Sequence, residues 1–374
     1  MIDLHMHFDG SLLPETIFRL AAAEGRRLPE PGSEAMKRLI CVPESCTSLN
    51  QYLKCFALPL ALLQSPDAVR LAMEDLVTSL LGKEGMQYVE LRFAPSSLTA
   101  KGASQEEILC AAVEGLRSAK EKFCREREQR AAREEARSAK QREVQADAPG
   151  LEGAGQLQRP ESTAPQDAWV PCCRLILCCM RGTSTEEQNL ETIRLADQYR
   201  GREVAAIDLA GPEDGFPLHN YRRLFTEAQK RGLPYTIHAG EAAGPENIRE
   251  AVEYGAARIG HGISARRDPA LMELLAQKQI PLECCPVSNV QTHAVESMAE
   301  HPVRPFLHAG IRVTVNTDNR TVSGTDIPRE YRELTQHCGL TAAEKRKLLC
   351  NAADAAFLAP EEREKLKKAV SQGF

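Results

Sequence analysis

Short apolar runs recur along the chain and alternate with longer stretches in which apolar residues return every three or four positions. The first pattern marks buried strands, the second amphipathic helices. Ile2-Asp3-Leu4-His5-Met6-His7 reads as a first strand. Further strands are predicted over 86–93 (with Tyr88, Val89, Leu91 and Phe93), 174–179, 204–209, 234–238, 258–261, 280–285 and 311–316. Helical spacing covers 66–82, 185–200, 221–231 and 245–254. Connections this long join parallel strands through crossover helices. Eight such units close into an α/β fold of the (β/α)8, or TIM-barrel, type, here a single domain over residues 1–374. A doubly wound open sheet competes, but no Gly-rich dinucleotide or phosphate fingerprint stands at the first turn.

One segment breaks the rhythm. Residues 120–140 are dense in Arg, Glu and Lys, and 146–165 are rich in Gly, Pro, Gln, Ser and Thr. The first part is expected to be a solvated helix extension held by charge pairs one turn apart, the second a flexible loop. Together they define an insertion over 125–169, between the helix after the second strand and the third strand. Placed there, it is expected to protrude on the barrel face away from the active site. The first strand has almost no lead-in, so it is expected to fray.

Composition narrows the function classes. Apolar residues make up 43% of the chain, enough for a large core, and the net charge of -5 gives no electrostatic reason to expect nucleic acid as a partner. No stretch approaches the roughly 20 apolar residues of a membrane span. Met1-Ile2-Asp3-Leu4-His5 lacks the basic-then-apolar pattern of a secretory signal. Thirteen cysteines, an odd number, point to free thiols in a reducing, cytoplasmic setting.

Histidine is sparse, with nine in the chain, and several stand at predicted strand ends. In a barrel those ends share one face, where active sites sit. His5 and His7 are two apart on one strand, so both imidazoles point the same way. Alone that spacing is more often incidental than metal-binding. His238-Ala239-Gly240-Glu241 follows the fifth strand, Arg258-Ile259-Gly260-His261-Gly262 ends the sixth, and Asn316-Thr317-Asp318-Asn319 follows the eighth. Each has an ordinary structural reading as a strand cap, a tight bend or a polar turn. Taken together, His5, His7, His238 and Asp318 form an N/O ligand set that suits Zn2+, with iron, cobalt and manganese as open alternatives. Glu241 and His261 stay free for proton transfer. A site with a metal, a base and an acid is that of a metal-assisted hydrolase or deaminase.

Competing signatures are missing. The chain has neither the His-Glu-x-x-His helix of metalloproteases nor the Pro-Cys-x-x-Cys pattern of cytidine-type deaminases. The doublets Cys172-Cys173, Cys178-Cys179 and Cys284-Cys285 read as core thiols, because neighbours on a strand face opposite sides. His219, His293, His301, His308 and His337 fall in predicted loops or helices and receive no role.

In these blocks the chain resembles the adenosine deaminase family of the metal-dependent amidohydrolase superfamily. The resemblance runs through Leu4-His5-Met6-His7-Phe8-Asp9-Gly10-Ser11-Leu12, Asp208-Leu209-Ala210-Gly211-Pro212-Glu213 and His238-Ala239-Gly240-Glu241. It continues through Arg258-Ile259-Gly260-His261-Gly262, Cys285-Pro286-Val287-Ser288-Asn289 and Asn316-Thr317-Asp318-Asn319. It implies zinc-dependent hydrolysis of adenosine, and of 2′-deoxyadenosine, to the inosine product and ammonia. It implies one Zn2+ per chain on His5, His7, His238 and Asp318, with Glu241 protonating purine N1. His261 would orient and deprotonate the attacking water, with Asp318 sharing the task. His7, Asp9, Gly211 and Asn319 would line the substrate, Gly211 through its N–H to N3 and Asp9 near the ribose. Two-metal members need a bridging lysine at the end of the fourth strand, where this chain has Asp208-Leu209-Ala210. Where many members carry a second aspartate, this chain has Asn319, whose amide donates at any pH. That change leaves adenine, or a modified adenosine such as aminofutalosine, as alternative substrates. A catalytically inactive barrel acting as a binding module is the reading from another class.

Overall fold

The structure is a computed structural model and describes residues 1–146 and 169–371. Eight strands are present: β1 (Ile2–His7), β2 (Tyr88–Phe93), β3 (Cys172–Met180), β4 (Val204–Ala210), β5 (Thr236–Ala239), β6 (Arg258–His261), β7 (Leu282–Cys284) and β8 (Val313–Val315). All pairings are parallel, in two runs of four, β1-β2-β3-β4 and β5-β6-β7-β8. Single bridges join the runs on both sides, Ile207 to Tyr235 and Met6 to Asp318. The ring is therefore closed, and with helices following the strands it is a TIM-type α/β barrel.

Expected and observed strands agree in place and differ at their ends. The seventh stops at Cys284 because the Cys285 N–H is taken by the Asn289 side chain at 3.1 Å and Pro286 opens a helix, Pro286–Gln291. Thr185 is the N-cap of helix Glu186–Gln198 and exchanges capping hydrogen bonds with Gln188. The helix expected over 66–82 is α-helical over Pro66–Thr78 and ends in a π turn, Ser79–Lys83.

One expectation is met here and one needs correction. The first part of the insertion is a helix extension: it continues the helix after β2, which spans Gln105–Ala146. Described side chains from Arg125 to residue 139 are exposed, and Arg125 pairs with Glu121 one turn back at 3.8 Å. The expected flexible stretch lies almost wholly outside the described residues, and Trp169 at its end packs edge-on against Tyr88. The correction concerns β1, which is pinned rather than frayed. Residues Ile2 to Met6 are buried, the Gln87 N–H donates to the Met1 carbonyl at 2.8 Å, and β1 lies between β2 and the end of β8.

The barrel interior carries charge. Arg92, on β2, donates to Asp208 at 3.0 Å and to Glu283 at 2.9 Å, all with no side-chain exposure. Arg258 joins Glu283 to Glu90. Each of these buried carboxylates has a guanidinium partner, which offsets the cost of burying charge. Among the described residues no helix is long and apolar enough to cross a membrane, and all thirteen cysteines are free.

Candidate active site

The C-terminal ends of β1, β5, β6 and β8 bring the sequence-predicted residues together. His7 Nε2 lies 3.3 Å from His238 Nε2 and 3.4 Å from Asp318 Oδ1, and His5 Nε2 lies 3.5 Å from the same oxygen. Four donors bound tetrahedrally at about 2.1 Å from one ion would stand about 3.4 Å apart. The observed spacing fits such an ion, and His5 Nε2 is buried with no hydrogen-bond partner of its own. His5, His7 and His238 form one candidate metal cluster, and His5, His261 and Asp318 an overlapping one.

Local backbone explains the convergence. Asp318 and His261 both hold left-handed φ values, 60° and 61°, where side chains are uncommon. Asp318 is fixed there by reciprocal bonds with β1: its N–H donates to the His5 carbonyl and its carbonyl accepts from the His7 N–H. Gly260 supplies space. A Cβ at that position would lie 3.1 Å from His238 Cα and 3.2 Å from His5 Cε1, so only glycine lets both residues pack against β6.

A second row of partners orients the ligands. His5 Nδ1 lies 2.8 Å from Glu283 and His238 Nδ1 2.9 Å from Asp208. Both contacts place the ring proton on Nδ1 and turn the Nε2 lone pair to the cluster. Ser288 donates to Asp318 Oδ2 at 2.6 Å. Burial lowers the pKa of His7 and His238, which keeps them neutral as ligation requires.

Glu241 stands across from the cluster, with Oε2 3.5 Å from His261 Nε2 and Thr292 donating to Oε1 at 3.1 Å. Its loop is shaped by Glu213, whose two oxygens accept the N–H groups of Gly240, Glu241, Ala242 and Ala243. Burial, and then the charges of Asp318 and Glu213, push the Glu241 carboxyl well above its ordinary value. The shift favours the protonated form of the group.

These residues open onto a cavity of about 420 Å³, within the usual range for small-molecule sites. His7, Glu241, His261 and Asp318 form one side, and Leu53, Phe56, Leu60, Phe93 and Met180 are apolar walls. Asp9, Gly211 and Asn319 also line it. Asp9 Oδ1 and Asn319 Oδ1 are buried without partners, and burial raises Asp9 to about 6. Gly211 holds φ at 94° beside the Arg181 backbone, where a Cβ would lie 3.0 Å from a carbonyl oxygen.

Several contributors were invisible from sequence. Asp208, Ser288 and Asn289 lie inside motifs that were singled out but given no role there. Glu283 and Thr292 lay outside those motifs. His301, set aside with the loop histidines, is buried and bonds to Asn289 at 3.3 Å. A polar residue within an apolar strand was the available signal for Asp208 and Glu283.

Comparison with known proteins gives one answer. A family model described as "Adenosine deaminase" matches residues 1–154 and 162–373. The adenosine deaminase of Haemophilus ducreyi is 40% identical over 377 aligned residues, covering 100% of this chain and 96% of that protein. That of Enterococcus faecalis is 35% identical, covering 100% and 96%. In fold, the adenine deaminase of Arthrobacter aurescens superposes with a TM-score of 0.77 at 24% identity, covering 100% of this chain and 98% of that one.

Proposed function

This chain belongs to the adenosine deaminase family and deaminates adenosine hydrolytically, and we propose that His5, His7, His238 and Asp318 hold one zinc ion for that reaction while Glu241 supplies the acid. The observation that carries this reading is that His7 Nε2 lies 3.3 Å from His238 Nε2, while Asp318 Oδ1 lies 3.4 Å from His7 Nε2 and 3.5 Å from His5 Nε2. A mixed N/O donor set of this kind suits zinc. When bound, a divalent ion supplies Lewis acidity and brings the pKa of water from 15.7 down toward about 7.

The chain's own residues do the rest. Water adds across the C6–N1 bond of the purine: oxygen joins C6 and Glu241 gives a proton to N1. Asp318 and His261 are the side chains that would orient that oxygen, and its proton would pass to one of them. The C6–N6 bond then breaks, the amino group leaves with a proton as ammonia, and the product is inosine. The adduct's hydroxyl proton replenishes Glu241. Asp9 and Asn319 line the cavity and would meet polar groups of the nucleoside, and Gly211 would offer its backbone N–H to the ring.

The cavity also bears on substrate choice. No lysine or arginine lines it among the described residues, so a 5′-phosphate would find no cationic partner. The apolar wall suits the purine face. Adenosine and 2′-deoxyadenosine are therefore the expected substrates, ahead of AMP and of free adenine, which lacks a sugar for Asp9. A rate comparison across these four compounds tests the reading, and a preference for adenine or AMP would overturn the substrate assignment. A cytoplasmic location accords with the free thiols.

A further inference from the structure

Behind His261, away from the cavity, runs a chain of hydrogen bonds whose direction is fixed by backbone donors. The Val303 N–H donates to His301 Nδ1 at 3.3 Å. That nitrogen therefore carries no proton, and neutral His301 has its proton on Nε2. His301 Nε2 lies 3.3 Å from Asn289 Oδ1, and the Cys285 N–H donates to the same oxygen at 3.1 Å. Two donors converge on that atom, so it is the carbonyl oxygen of the amide; the reverse orientation would set N–H against N–H. Asn289 Nδ2 then lies 3.0 Å from His261 Nδ1 and has only protons to offer. Asn289 and His301 are buried, with 0% and 2% exposure, so water is not on hand to rearrange the chain.

We infer that Asn289, held by the Cys285 N–H and by His301, fixes His261 in the Nε2–H tautomer, so that His261 enters the reaction as a hydrogen-bond donor and Asp318 alone accepts the water proton. Asn289 and His301 are positioning residues acting through His261. With Nδ1 occupied by the amide proton, the neutral ring has no lone pair facing the cavity. It therefore cannot take a proton from water in the resting state. What it offers is an N–H aimed at the site, 3.5 Å from Glu241 Oε2, where it can stabilise charge growing on the attacking oxygen. The proton balance then closes on two carboxyl groups. Asp318 takes the proton from water and passes it to the leaving amino group, while Glu241 gives its proton to N1 and recovers one from the adduct's hydroxyl.

This inference rests on the deaminase reading for its catalytic meaning, but its structural claim can be tested without substrate. The experiment is nitrogen-15 imidazole NMR on the zinc-loaded protein labelled at histidine, with His261 assigned by the signals lost in His261→Gln. The expected spectrum shows a protonated Nε2 and an unprotonated Nδ1 at His261. The opposite tautomer overturns the inference and leaves adenosine deamination standing; loss of the deaminase reading would leave the tautomer standing.

Asn289→Asp supplies the second readout. A carboxylate keeps both bonds to Oδ1 but can only accept from His261, so the ring should flip to Nδ1–H with a free Nε2. A donor role predicts that kcat falls roughly 10²–10³-fold with KM and zinc content little changed. A base role predicts kcat kept or raised, since the ring would gain a lone pair and a carboxylate behind it. If the variant does not fold, the wild-type spectrum decides alone.

Discussion

His238 Nδ1 lies 2.9 Å from the Asp208 carboxylate, both side chains are almost entirely cut off from water, and Asp208 is held in turn by Arg92 at 3.0 Å. The pair converts a residue at the end of β4 into the orienter of an imidazole at the end of β5. Burial opposes its ionisation, but the Arg92 charge and the hydrogen bond from His238 outweigh it and hold the Asp208 carboxyl well below its ordinary range.

Asp208→Ala should therefore damage metal retention rather than the cavity. Loss of such a partner typically costs about 10–100-fold in metal affinity. Competition against a chromophoric chelator measures it directly. Unchanged affinity would remove Asp208 from the account.

Glu241→Gln keeps the shape of the acid and removes its proton. General-acid groups contribute about 10²–10⁴-fold, so kcat should fall within or beyond that range with metal content intact. Because the carboxyl is raised, its protonated form persists above the ordinary carboxylate range and is lost as pH rises through the folded-state value. The wild-type kcat should accordingly decline on its alkaline side. Near-normal turnover in the Gln variant would refute the role.

Glu330 offers a pH prediction outside the site. It is buried on helix Ile327–Cys338, accepts from the Val287 N–H at 3.0 Å and Thr325 at 2.7 Å, and burial raises it to about 8. Below about 4.5 the group is protonated in both folded and unfolded chains and costs nothing. Between there and about 8 the unfolded chain ionises and the folded one does not, so stability falls as pH rises. Glu330→Gln should flatten that part of the stability–pH curve and be the more stable protein at pH 8. Denaturant titrations at several pH values read the difference.

The insertion should be dispensable for chemistry. A helix that joins two neighbouring parallel strands returns antiparallel to them, so the exposed extension of Gln105–Ala146 is expected to leave near their N-terminal ends. Replacing residues 128–165 by a short Gly/Ser linker, with Trp169 retained against Tyr88, is expected to leave kcat/KM within about twofold. A large loss would assign the segment a part in the site.

Eight strands and their order were legible because each is a short apolar run, and the proposed ligand positions were picked out because polar residues sit at the ends of those runs. Each signal was weak alone; His5, His7, His238 and Asp318 were selected by their combination and by the family resemblance. What escaped was pairing between strands. Glu283 under His5 and Asp208 under His238 are contacts between residues 278 and 30 positions apart, set by register rather than by local pattern. The same holds for His301, whose loop position gave no hint that it stands behind Asn289. The helix extension was legible in its charge pattern, and the structure shows it as one continuous helix with the segment before it.

The central claim is that one divalent ion, gathered by three imidazoles and Asp318, is required to deaminate adenosine. The most direct test follows the loss of adenosine absorbance by purified protein stripped with a chelator and then titrated with zinc. The account predicts no turnover in the stripped protein and full recovery at one equivalent per chain, with no recovery in a His5→Ala, His238→Ala double variant. Turnover that persists without metal, or that returns fully in the double variant, would contradict it.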